Sequence, residues 1–88
     1  MKSTRNGREK KLYRGVVTEL CRYGAPEEVF FTYAFSLIQA GRFIKRKFNT
    51  THGYVEWKYV EMEIEVVSPE KAEKVLKTIS REQLAPAT

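Results

Sequence analysis

Apolar and polar positions along the chain fall into stretches of distinct period. Between Lys10 and Arg22 the apolar residues come as pairs, Leu12/Tyr13, Val16/Val17 and Leu20/Cys21, separated by polar pairs. Recurrence at i, i+4 and i+8 places those pairs on one helical stripe and leaves Lys10, Lys11, Arg14, Thr18 and Arg22 toward solvent. Gly15 weakens a helix here, and residues 12–21 also read as an imperfectly alternating strand, which keeps a β-first topology open.

Next, Pro26 at a first helical position with Glu27 and Glu28 in the first turn predicts a helix start, since proline needs no donor there and the acids complement the helix dipole. Val29, Phe30, Tyr33, Ala34, Leu37 and Ile38 form its stripe, Phe31 and Phe35 add a second apolar side, and Gly41 supplies the exit. A helix apolar almost all round belongs at the centre of a core or in an oligomer interface.

Beyond Gly41, Arg42 to Thr50 and Tyr54 to Val67 read as two strands joined through Thr51, His52 and Gly53. With Asn49 opposite Tyr54, Lys47 faces Glu56, Arg42 faces Glu61, and Arg46 lies beside Trp57, whereas Lys45 opposite Lys58 is unfavourable. In the second strand Val60, Met62, Ile64 and Val66 alternate cleanly with Glu61, Glu63 and Glu65. Val55, Trp57 and Tyr59 have the opposite parity, so the ribbon must twist, bulge or change the face it buries. The last element is a helix with Ser68 as N-cap, Pro69 at its first position, and Ala72, Val75, Leu76 and Ile79 at core spacing.

These elements predict an α+β fold in which two N-terminal helices and a C-terminal helix pack in two layers on one side of a long antiparallel β-hairpin. The alternative is a ferredoxin-like βαββα order, which requires residues 12–21 to be a strand. The 88 residues suffice for a single small domain. The basic arm at about 1–8 and the tail at about 83–88 lack an apolar period and are expected to fray.

Charge sharpens the picture more than composition does. The net charge is +5, with residues 1–48 holding 11 Lys/Arg against 4 Glu and residues 49–88 holding 5 against 7. A basic half points to nucleic acid, an anionic surface or an acidic protein as partner, with solvated lysines as the competing reading. Cys21 is the single cysteine, which leaves no intrachain disulfide and suggests a reducing, cytoplasmic compartment. The apolar window from Val29 to Ala40 is interrupted by Thr32, Tyr33, Ser36 and Gln39 and is too short to span a bilayer.

The candidate chemistry is binding. Arg42, Phe43, Lys45, Arg46 and Lys47, with His52 and Trp57, interleave cations with rings that suit phosphates and stacked bases. Lys10, Lys11 and Arg14 extend a basic N-terminal run able to lie along a phosphate backbone. Phe30, Phe31, Phe35, Val55 and Trp57 exceed what so small a core covers, and predict a homo-oligomer, a dimer at least. Glu61, Glu63 and Glu65 form a period-two row that is solvated or ion-paired to a second subunit. His52 has no neighbouring ligands for a metal, and Cys21 no adjacent base, so neither a metal, a cofactor nor an active site is predicted. The sequence thus predicts a small basic nucleic-acid-binding protein, DNA or RNA; the alternative is a non-enzymatic oligomeric interaction or regulatory module.

Overall fold

The computed structural model describes residues 9–20, 27–53 and 57–86, apart from the side chain of Lys58. It is an α+β domain: a three-stranded antiparallel sheet with a helix on each face. In chain order it consists of β1 (Lys11–Glu19), β2 (Glu28–Ala34), α1 (Leu37–His52), a 3-10 turn at Trp57–Tyr59, β3 (Val60–Val66), α2 (Pro69–Thr78) and a second 3-10 turn at Arg81–Gln83. The strand order is β2-β1-β3. Because β2 and β3 are each antiparallel to β1, the unit β2-α1-β3 is a parallel crossover with β1 inserted between its strands.

Residues 12–21 therefore begin as a strand, as the βαββα alternative required, but the observed order is ββαβα and matches neither plan: the N-terminal half forms a β-hairpin in place of two helices. The physical reason is double burial. Tyr13 and Val17 face α1, while Leu12 faces α2, so a central strand covered on both sides loses the period-two signal and its paired apolar residues imitate a helix. β2 is subject to the same ambiguity. Phe30 and Ala34 pack beneath α1, Phe31 belongs to the cluster on the other face, and Val29 packs against that second cluster. A short strand, Glu28–Ala34, rich in aromatic and branched side chains fits a doubly buried position better than a helix all of whose sides are apolar.

The segment Arg42 to Thr50, expected as the first strand of a hairpin, is the greater part of α1. Ser36 is the N-cap: its hydroxyl accepts from the Gln39 N–H at 3.1 Å, while the Gln39 side-chain oxygen accepts from the Phe35 N–H at 2.7 Å. Ala40, Ile44 and Phe48, at i, i+4 and i+8, then bury one stripe together with Phe43. Gly41 is interior to the helix and not its exit, and a Cβ there would sit 3.3 Å from Ile64 Cδ1. The helix ends at Gly53, whose N–H bonds the Asn49 carbonyl at 2.7 Å and whose positive φ of 79° turns the chain out of the helical path. With 42–50 helical, the hairpin register expected for Arg42, Lys45, Arg46 and Lys47 does not arise.

β3 follows the expected alternation, with Val60, Met62, Ile64 and Val66 on the α1 side and Glu61, Glu63 and Glu65 on the other. The parity change nearer Trp57 is resolved by the 3-10 turn, at which the strand stops. α2 begins at Pro69 as expected, and Ala72, Val75 and Ile79 pack on Leu12, Phe31 and Val67. It lies on the sheet face opposite α1, so the helices occupy two sides and the domain has three layers.

The C-terminal tail, expected to fray, is pinned as far as Ala85. Leu84 bridges Phe31 in parallel, the Ala85 N–H donates to the Phe31 carbonyl at 2.7 Å, and the buried Thr32 hydroxyl donates to the Ala85 carbonyl at 3.0 Å. This segment closes the outer edge of β2. The basic arm at 1–8 lies outside the described residues, as do Cys21 and Val55.

Candidate nucleic-acid interface

An amphipathic helix with one stripe in the core must present its opposite side to solvent, and in α1 that side is cationic. Arg42, Lys45, Arg46 and Asn49, at i, i+3, i+4 and i+7, line a shallow open depression of about 500 Å³ together with Thr50. Among the described residues no carboxylate pairs with Arg42 or Lys45.

Trp57 stands at the edge of this depression. Its indole N–H donates to the Asn49 side-chain oxygen at 3.1 Å, its ring meets Phe48 edge-on at 5.4 Å, and Lys45 Nζ lies 5.3 Å from the ring centroid. The half-buried indole thus joins the core to the basic stripe. With its oxygen engaged, Asn49 keeps its amide NH₂ as a donor without a partner among the described residues. His52 closes the helix: its ring packs against Phe48 at a 40° tilt with centroids 4.4 Å apart, and its Nε2 pairs with the Glu28 carboxylate at the start of β2.

Residues singled out from the sequence are thereby separated. Arg42, Lys45 and Arg46 converge on the α1 stripe with Trp57 beside them. Phe43 is buried under the helix, and Lys47 is half-buried on another side of it. Arg14 projects from the opposite face of the sheet and pairs with Glu65 at 3.5 Å. Lys10 lies 5.6 Å from the Phe35 ring centroid, and with Lys11 it lines a separate concavity of about 650 Å³ beside Leu12, Tyr33, Val67 and Ala72. Phe30 and Phe31 are core residues, which removes them from any surface, whereas Phe35 is 40% exposed.

Sequence reasoning missed Asn49, Thr50 and the exposed pair Leu37 and Ile38, at 52% and 73% exposure. The signal was present: Ser36-x-x-Gln39 is a reciprocal N-cap pattern, and starting a helix there puts Ile38, Arg42, Lys45, Arg46 and Asn49 on one side. Among the described residues no group of three or more His, Cys, Asp or Glu could hold a metal ion, and no helix is long and apolar enough to cross a membrane. Comparison with protein-family models, with curated proteins and with solved structures finds no match.

Proposed function

We propose that the chain is a small basic nucleic-acid-binding protein that meets the phosphate backbone with the outer face of α1. The observation that carries this reading is the Arg42/Lys45/Arg46/Asn49 stripe, rigidly mounted on a packed helix and without carboxylate partners for Arg42 and Lys45 among the described residues. Phosphate contacts of this kind are sequence-independent and supply affinity through counterion release. Lys2, Arg5 and Arg8 of the N-terminal arm add cationic reach. Titration of double-stranded and single-stranded oligonucleotides over a salt series, with and without charge reversal at Arg42 and Lys45, tests the proposal.

A second reading, a non-enzymatic oligomeric interaction module, is favoured by the apolar ledge of Phe35, Leu37 and Ile38 where β2 runs into α1. Sedimentation of the wild type and of Ile38→Glu at micromolar concentration separates an assembling ledge from a solvated one.

A further inference from the structure

The two outer edges of the sheet are treated differently. The edge of β2 is closed by the chain's own Leu84 and Ala85. The edge of β3 is open: among the described residues Val60–Val66 pairs only with β1. Alternate residues of an antiparallel strand turn both N–H and C=O away from the partner strand, so β3 offers about 20 Å of ladder to a further strand. An open edge is normally blunted by proline, by charged side chains, lysine above all, or by a bulge. The sequence Val60-Glu61-Met62-Glu63-Ile64-Glu65-Val66 runs as an uninterrupted strand without proline or lysine, and its only charges are the three glutamates.

What the edge carries is a filter. A second copy pairing antiparallel through β3 would bring residues of like parity together, setting Glu61, Glu63 and Glu65 against the same glutamates of its partner, an arrangement that destabilises cross-strand pairs. Glu65 is engaged by Arg14, while Glu61 and Glu63 have no cationic partner among the described residues. On the other face Val60, Met62 and Ile64 are half-buried against α1 and Val66 is 51% exposed, so an incoming strand would meet apolar side chains there.

We propose that the β3 edge is a strand-addition site for an extended segment of a partner protein in which Lys or Arg alternates with apolar residues. Backbone hydrogen bonds to β3 hold the segment, its cations lie across from Glu61 and Glu63, and its apolar residues extend the layer under α1. The edge lies apart from the α1 stripe, so the proposal does not depend on nucleic-acid binding.

The test uses the full-length protein and a capped nine-residue peptide alternating Lys and Val. Calorimetric titration is expected to show saturable binding, with new amide-exchange protection confined to outward-facing amides of residues 60–66. Methylating every second peptide nitrogen keeps the charge and removes the donor row; it should weaken binding at least tenfold. Glu61→Lys with Glu63→Lys should weaken the Lys/Val peptide at least tenfold and admit a Glu/Val peptide instead. Absence of binding, equal binding by the methylated peptide, protection located elsewhere, or β3 amides already covered by a second copy in the free protein would each overturn the proposal. If the double variant does not fold, the methylated peptide on the wild type decides alone.

Discussion

Gly15 in β1 lies directly beneath Ile44 of α1: a Cβ built on the glycine would sit 2.5 Å from Ile44 Cδ1, and Ile44 is 0% exposed. The glycine that weakens a helical reading of the N-terminal segment is the point of closest approach between helix and sheet. Gly15→Ala is expected to destabilise by about 1 to 3 kcal/mol through overpacking, although alanine restricts the unfolded chain more than glycine does. Ile44→Val deletes the clashing methyl and costs about 0.5 to 1.5 kcal/mol alone. The double variant should therefore be more stable than the sum of the two losses, a coupling that urea denaturation of all four proteins measures. Strict additivity would contradict this packing.

Elements with one wet face were legible in the sequence, and those with none were not. β3 alternates because its glutamates face away from α1, and α2 keeps a three-to-four period because one stripe alone touches Leu12, Phe31 and Val67. β1 and β2 are apolar toward both helices, so hydrophobicity carries no phase there, and local caps decide. Reading Ser36 as an N-cap would have turned Arg42 to Thr50 from strand to helix, and with it the whole candidate site. The cations are legible by residue type, but Arg14 and Lys47 could not be separated from Arg42 and Lys45 until the helix and the sheet faces were known.

That cap can be weighed directly. Ser36→Ala removes the hydroxyl that accepts from the Gln39 N–H, and about 1 kcal/mol of stability should go with it. Ser36→Asp keeps an acceptor at the positive end of the helix and should restore most of the loss. The urea midpoint reports both, at an unchanged denaturant slope.

Trp57 behaves in the structure as an anchor of α1, through Phe48 and Asn49, rather than as a free stacking platform. Trp57→Phe keeps an aromatic ring and loses the hydrogen bond, at about 1 kcal/mol. Trp57→Ala removes the ring too and should cost about 3 kcal/mol, the lower end of the range for buried aromatics because the indole is half-buried. Denaturation followed by circular dichroism measures both variants without relying on the missing fluorophore. Losses below about 0.5 kcal/mol for the alanine variant, the range of ordinary surface substitutions, would return Trp57 to the surface.

The C-terminal segment should act as a structural strand. The Thr32 hydroxyl reaches the Ala85 carbonyl from a fully buried position, so Thr32→Val leaves that carbonyl without a partner, at about 1 to 3 kcal/mol. The Ala85 amide, bonded to the Phe31 carbonyl, is expected to exchange slowly with solvent in the wild type and faster in the variant. Rapid exchange of Ala85 in the wild type would show that the β2 edge is not held closed.

The basic stripe makes a prediction in which position on the helix matters more than charge. Arg42→Glu with Lys45→Glu alters exposed side chains, so stability should change by no more than about 1 kcal/mol, the loss of the Lys45 contact with the Trp57 ring included. If both residues neutralise phosphates, the slope of log affinity against log salt should become shallower by about 1.4 to 1.8, at roughly 0.7 to 0.9 for each phosphate no longer neutralised. Arg14→Glu changes charge on the opposite face of the sheet, beside Glu65, and should leave that slope nearly as it was. Lys47→Glu lies half-buried on another side of α1 and should register in stability before it registers in affinity. Oligonucleotide titrations between about 50 and 200 mM salt, a range typical of such series, read all three variants against the wild type. Equal slopes for the Arg42/Lys45 variant and the wild type would take the α1 face out of the interface, and equal losses for Arg14→Glu would reduce the effect to net charge.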